Sequence, residues 1–234
     1  MKHFLSAVFG AGLLLAAVAG VNAGEAPPRD QGPVYIATYF EVANNGTAST
    51  IANLKEYRDA TRKEAGALQS EIFQETGAPT RFVTFDQWRD WAAYDAHAAG
   101  QVKNALYEKQ RTLQWGPPDV RMHLPYFGAG ETAPIGPDNV IILSHLDVAP
   151  MGIPRLLEIM KPLSENSAKD QGMIRYQLVR QTPGAGNHYR VFEVWTNEQA
   201  FERHNAQGHV ATFRTDLLSL LGTPYDQRKY KIVQ

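Results

Sequence analysis

The chain of 234 residues contains no cysteine. That excludes disulfides, thiolate metal ligands, a cysteine nucleophile and lipid attachment at a Cys side chain. Charge of one sign is also missing: 23 Lys and Arg stand against 24 Asp and Glu, with no basic run. Neither nucleic acid nor an anionic membrane is therefore expected as a partner. After residue 23 no segment approaches the roughly 18 uninterrupted apolar residues of a spanning helix. A Gly-x-Ser-x-Gly elbow is absent too. Gly184-Ala-Gly186 lacks the strand-to-helix context of a phosphate loop and reads as a hairpin turn.

What is present begins with a short basic start, Lys2 and His3, followed by an uncharged apolar run over residues 4–21 and the small residues of Val21-Asn22-Ala23. This is the pattern of a signal peptide over 1–23, cut after Ala23, with an anchoring helix as the competing reading. Export to the periplasm or the exterior follows, and the mature protein is expected off the membrane. Residues 24–32 are rich in Pro and charge and read as a flexible leader. Without Lys2 the balance becomes 22 Lys and Arg against 24 Asp and Glu. Roughly 210 mature residues are enough to bury a core without disulfides.

The chain repeats itself. Residues 34–42, VYIATYFEV, resemble residues 140–148, VIILSHLDV, at an offset of 106. Gly46 and Gly152, Gly66 and Gly172, and Thr76 and Thr182 keep it. One residue is then inserted in a turn, and the offset becomes 107 for Phe85 and Phe192, Trp88 and Trp195, Ala93 and Ala200, His97 and His204, Pro117 and Pro224, and Asp119 and Asp226. A single shift located in a Gly/Pro turn marks a diverged duplication. Repeat 1 is taken as residues 33–127, repeat 2 as 139–234 and the linker as 128–138, where three Gly and two Pro fall within 128–137.

Each repeat reads β-α-β-β-α-β. In repeat 2, Ile153, Leu156, Leu157, Met160 and Leu163 keep helical spacing, and Pro162 should bend or end that helix. Strands are expected over 173–180, 189–195 and 228–233, with Asn197 capping a helix that holds Ala200, Phe201 and His204. Repeat 1 follows the same course and closes with a strand over 121–126. This order is the ferredoxin-like split unit, in the α+β class, with helices on one sheet face. The bare face must be covered. Two copies in one chain suggest that the bare faces close on each other as a barrel, an internal pseudo-dimer whose edges leave further homodimerisation open.

Phe192-Glu-Val-Trp195, Glu198-Gln-Ala200, His204, His209 and Phe213 resemble the antibiotic biosynthesis monooxygenase (ABM) domain family. Repeat 1 keeps Asp86, Trp88, Ala93, Tyr94 and His97, but Val102 replaces the second histidine. The resemblance implies a dimeric α+β barrel. It also implies oxidation of a small aromatic or quinone-like molecule with O2 and no cofactor. Other members of that superfamily degrade haem or have no established activity, so a carrier of a small apolar ligand and a haem protein are the alternatives.

Strand alternation groups Tyr189, Val191, Glu193 and Trp195 on one face, and Ile141, Leu143, His145 and Asp147 on another. Polar and aromatic groups mixed in this way suit a cavity lining. His145, Tyr189, Glu193 and Trp195 are expected to line one cavity, with Tyr39, Phe82, Asp86 and Trp88 as their counterparts in repeat 1. His204 shares a helix face with Phe201 and faces inward, where Glu193 can orient it. Cofactor-free oxygenation needs a base to take a phenolic proton, and a near-neutral histidine suits the role. The catalytic candidates are thus His204, Glu193 and His145, with Trp195, Tyr189, Phe201, His209, Tyr39, Trp88 and His97 around the ring. A buried histidine paired with a carboxylate is also a common structural contact, and His209 has the alternative of lying solvated at a helix junction. No metal is expected, because His204 and His209 are about 140° apart on a helix.

Overall fold

The computed structural model describes residues 32–130, 133–182, 184 and 186–234. The expected signal peptide and all but the last residue of the leader lie outside them. Among the described residues no helix is long and apolar enough to cross a membrane.

Repeat 1 runs β1 (Val34–Glu41), α1 (Thr47–Thr61), β2 (Ala67–Glu75), β3 (Arg81–Trp88), α2 (Trp91–Ala98), α3 (Gln101–Gln110) and β4 (Asp119–Ala129). Repeat 2 runs β5 (Val140–Asp147), α4 (Ile153–Ser167), β6 (Met173–Gln181), β7 (His188–Trp195), α5 (Glu198–Asn205), α6 (Gly208–Leu217) and β8 (Asp226–Ile232). The fold class is α+β, as the repeat order implies.

All eight strands pair antiparallel in one closed barrel, ordered β1-β3-β2-β8-β5-β7-β6-β4. The closure is reciprocal. Strand β4 pairs with β1 of its own repeat and with β6 of the other; β8 pairs with β5 and with β2. Neither repeat has a complete sheet edge without its twin, so the two copies form an intrachain dimeric barrel. Strand β4 also runs two residues into the expected linker, where Gly128 and Ala129 pair with Gln177 and Tyr176.

Two sequence signals acquire physical causes here. Gly66 and Gly172 sit at φ +86° and +92°, a region that favours glycine. A Cβ on either would stand 2.5 Å from the Cβ of Ala93 or Ala200, respectively. Each repeat therefore needs the glycine and the alanine together. Asp90 and Asn197 cap α2 and α5 by accepting from the amides of Ala93 and Ala200. Pro162, by contrast, does not end its helix: α4 continues to Ser167. Pro162 and Glu158, whose carbonyl loses its partner, are exposed, so water can take up the lost bond.

Strand pleating sorts side chains into two compartments. Outside the barrel, each repeat's helices cover one apolar layer. Leu156, Met160, Phe213 and Leu217 pack against Leu178, Tyr189 and Val191 in repeat 2. Leu54 and Leu106 pack against Phe40, Ile72 and Phe82 in repeat 1. Inside the barrel, Phe85 and Phe192 stack with centroids 4.7 Å apart, and Phe73 lies 5.9 Å from Phe192. These twin phenylalanines meet across the pseudo-two-fold. Each buried ring contributes on the order of 2–3 kcal/mol.

Beside them, Arg175 of β6 crosses to β2. Its Nη1 and Nη2 donate to the two Glu71 carboxylate oxygens at 3.1 Å, Nη1 also reaches Gln69 Oε1 at 3.0 Å, and Nε donates to Ala133 O. Burial raises the Glu71 pKa, and Arg175 opposes that rise. Removing one partner strands the other charge. Glu71→Ala is expected to destabilise the protein by about 3–5 kcal/mol in urea unfolding, whereas an exposed pair such as Lys109–Glu56 should contribute under about 1 kcal/mol. Residues 33–129 expressed alone should be unfolded or self-dimerised; a stable monomer by sedimentation would refute the reciprocal closure.

Candidate functional site

The expected cavity-lining set divides between the two compartments. His145 is registered opposite Arg190, whereas Tyr189 faces Leu146 and Glu193 faces Ile142. Directly opposed residues share a sheet face, so His145 points into the barrel with Arg190, Phe192 and Val194. Tyr189, Glu193 and Trp195 point at the helices. Repeat 1 repeats the division: Tyr39 is opposite Val83 in the barrel, while Phe82, Asp86 and Trp88 face α1 and α2. The single cavity containing His145 and Glu193 is therefore corrected to two separate places. Alternation within one strand fixes which residues share a face; which face the neighbouring strand adds depends on register.

On the helix side of repeat 2 the expected residues do converge. His204 stacks on Trp195 with centroids 4.4 Å apart, and Phe201 packs beside Trp195. Glu193 Oε2 accepts from Trp195 Nε1 at 2.9 Å and lies 3.7 Å from His204 Nε2. The carboxylate that orients His204 is instead Asp170, 2.7 Å from its Nδ1. Asp170 Oδ2 also lies 3.2 Å from His209 Nε2. The helical-angle argument against convergence of the two histidines fails, because α5 ends at Asn205 and α6 begins at Gly208. One ligand atom each from Asp170, His204 and His209 falls within 4.8 Å of the others. Burial lowers the His204 pKa against the pull of Asp170, so the imidazole is neutral at pH 7. Burial also raises the Glu193 carboxyl to about 7.

Repeat 1 holds the corresponding chain with one addition. His97 packs on Trp88, and its Nδ1 lies 2.5 Å from Glu64 Oε2. Its Nε2 is 3.1 Å from the Tyr57 hydroxyl, which is 2.7 Å from Asp86 Oδ2. Burial pushes Asp86 to about 7, against the hydrogen bond it accepts from Tyr57. Burial likewise lowers His97, which Glu64 opposes. Together these give a continuous path, Asp86–Tyr57–His97–Glu64. With Asp86 ionised, Tyr57 donates to it. With Asp86 protonated, the carboxyl donates to the Tyr57 oxygen and Tyr57 donates on to His97 Nε2, while His97 Nδ1–H stays on Glu64. A proton can thus pass between a buried carboxyl and an imidazole through a phenol.

The path borders a cavity of about 10 Å³, room for one water, lined among others by Thr38, Asp86, Tyr94, His97, Lys103 and Tyr107. Alongside lies a groove of about 230 Å³ between α1 and α3, sharing Tyr57 and Leu106 with it. Val102, which stands where repeat 2 has His209, lines this groove. In repeat 2 the counterpart space takes Tyr225, which lies near Ser144 and Gln227 and feels the Glu193 charge. Those three occupy the repeat positions of Thr38, Val120 and Asp86, all lining residues of the repeat 1 cavity.

Sequence reasoning missed Tyr57, Glu64, Asp170 and Tyr225. Glu64 and Asp170 were legible, because both are acidic and keep the 106 offset. Tyr57 was not, because Leu163 stands at its repeat position.

No curated protein matches this sequence. Two solved structures, each named "putative monooxygenase", share the fold. The one from Fusobacterium nucleatum subsp. nucleatum is 14% identical, over 87% of this chain and 93% of its own, with TM-score 0.77. The one from Lactobacillus acidophilus is 15% identical, over 87% and 95%, with TM-score 0.72. An "anthrone oxidase-like protein" is 15% identical, over 87% and 92%, with TM-score 0.69. The sequence profile described as antibiotic biosynthesis monooxygenase matches residues 33–104 and 140–216, one match within each repeat. The chain belongs to the antibiotic biosynthesis monooxygenase family, in a tandem form that builds the family's barrel from two copies within one polypeptide.

Proposed function

We propose that this protein is an exported, cofactor-independent monooxygenase that oxidises a small phenol, quinol or anthrone with O2 on the helix side of repeat 1. Export rests on the N-terminal sequence alone. The observation that carries the site is the Asp86–Tyr57–His97–Glu64 path ending at a cavity, whose counterpart in repeat 2 is occupied by Tyr225. The groove between α1 and α3 gives the ring an approach, and displacement of the Leu106 side chain would join groove and cavity.

Asp86, ionised in part near pH 7, takes the acidic proton of the substrate and passes it through Tyr57 to neutral His97. The carbanion or phenolate so formed reacts with O2. For an anthrone methylene, the CH2 becomes C=O and the second oxygen leaves as water. That four-electron oxidation matches the four electrons O2 accepts, so no external reductant is required. Tyr94 and Tyr107 supply flat walls, and the Lys103 ammonium, on the cavity lining, stabilises the developing oxyanion.

With anthrones and quinols and no added cofactor, the purified protein should consume O2 above the uncatalysed rate. His97→Ala should slow turnover by about 10²-fold or more. His204→Ala should leave it within a few-fold, with thermal melts separating lost chemistry from lost fold. Turnover that survives His97→Ala and vanishes in His204→Ala would move the chemistry to repeat 2.

The two buried carboxyls also predict a pH dependence. Asp86 and Glu193 are raised to about 7 from ordinary values of 3.8 and 4.5. The native state therefore holds their protons more tightly than the unfolded chain. The stability they contribute is complete below about pH 4 and is lost as pH rises through about 7. In Asp86→Asn/Glu193→Gln, the difference in unfolding free energy between pH 5 and pH 8 should shrink by on the order of a few kcal/mol relative to the parent. Equal slopes for the two proteins would contradict it.

A further inference from the structure

One mouth of the barrel opens into a cavity of about 520 Å³, and nothing in the proposed oxygenase site uses it. Both repeats contribute to its wall: Tyr39, Val83, Asp119 and Arg121 from the first, Leu143, Arg190, Asp226, Arg228 and Tyr230 from the second. Its volume lies in the range of small-molecule pockets.

The charges of this mouth are paired with one exception. Arg81 meets Glu41 at 3.3 Å and Glu75 at 4.0 Å, Arg121 meets Asp119 at 2.6 Å, and Arg228 meets Asp226 at 3.0 Å. Arg190 is only 5% exposed, and among the described residues no carboxylate lies within 4.0 Å of its guanidinium. Its Nε has no hydrogen-bond partner there, and neither does the buried hydroxyl of Tyr39. The guanidinium instead sits over the Tyr39 ring, 5.0 Å from the centroid, with Arg121 5.3 Å from the same ring. A buried, unpaired cation costs several kcal/mol. Cation–π contact returns only about 2 kcal/mol of that. Burial depresses the Arg190 pKa, and the carboxylate that acts on it through space, Asp119, is already engaged by Arg121 at 2.6 Å.

The same position in repeat 1 is Val83. The barrel can therefore be completed with an apolar residue at this point, and packing does not require the arginine. Beside its charged pairs, the wall carries apolar and aromatic side chains. Trp115, which is 77% exposed, stands at the rim with Pro117, and Leu143, Val83 and Tyr230 lie below.

We propose that the barrel mouth is a second binding site, for a small aromatic carboxylate whose carboxylate pairs with Arg190 and the Tyr39 hydroxyl and whose ring lies toward Trp115. The ligand supplies the missing counter-charge and satisfies two buried donors together, as a bidentate partner suits a guanidinium.

Benzoate is the probe, with benzamide as its neutral isostere and inorganic phosphate as an anion without a ring. Trp115 is the exposed tryptophan and lines the cavity, whereas Trp88, Trp91 and Trp195 are buried, so its fluorescence reports occupancy. Calorimetry gives the affinity in parallel. Benzoate should bind at least tenfold more tightly than benzamide or phosphate. Arg190→Val, which installs the residue of the twin position, should weaken benzoate at least tenfold and erase its advantage over benzamide. Arg190→Lys should restore part of it. In the parent protein benzoate should shift the His145 ring resonances and raise its pKa, a readout that needs no variant. His97→Ala should leave all of this unchanged, which separates the site from the oxygenase reading. No benzoate binding at millimolar concentration, equal binding of benzamide or phosphate, or full binding by a folded Arg190→Val protein would overturn the proposal.

Discussion

Everything in this molecule depends on the exchange of closing strands between the repeats. Strand β4 completes the sheet edge that β6 presents, and β8 completes the edge of β2. An edge left open would expose unpaired backbone groups and the bare sheet face behind them. The exchange satisfies both at once and makes the interior of the barrel a shared compartment. It also separates that interior from the two helix-covered layers by the thickness of one strand. Residues adjacent in sequence, such as Phe192 and Glu193, then belong to different environments: one to the shared lumen, the other to a private layer of its own repeat.

That separation explains what was legible in the sequence. Duplication, element order and barrel closure follow from paired residues at fixed offsets. The most informative pairs, Gly66 with Gly172 and Ala93 with Ala200, persist because a left-handed backbone and a 2.5 Å approach tolerate nothing larger. The helix-face pairing of His204 with Phe201 was legible from helical spacing. The assignment of His145 to the same cavity failed, since strand alternation is known only modulo one face until the register of the neighbouring strand is fixed. Tyr57 enters its site from α1, two elements before the strand that carries Asp86 and Trp88, and no local pattern announces such a contact.

The two copies have diverged in opposite senses. On the helix side, repeat 1 has a phenol at Tyr57 and an open space beside Asp86. Repeat 2 has Leu163, fills the corresponding space with Tyr225 and adds His209 next to Asp170. Both keep a buried carboxyl, a histidine stacked on tryptophan and an acidic residue on the far imidazole nitrogen. The common part holds the first helix after β3 or β7 against the sheet, and the variable part decides whether the space is occupied.

Inside the barrel, fusion of the two copies into one chain permits what a homodimer cannot. In a symmetric pair, a residue at the position of Arg190 would occur twice around the axis, as two buried guanidinium groups with no carboxylate between them. At an effective dielectric of about 20, two such charges even 8 Å apart repel by about 2 kcal/mol, in addition to the burial cost of each. The tandem chain places arginine on one side and Val83 on the other, so a single unpaired positive charge stands beside the pseudo-two-fold. The opposite end of the lumen shows the same freedom: Arg175 and Glu71 form a pair whose twin positions hold the neutral Gln69 and Gln177. There the extra charge has its partner within the chain. At the mouth the partner is missing, and an open cavity adjoins the place where it would stand.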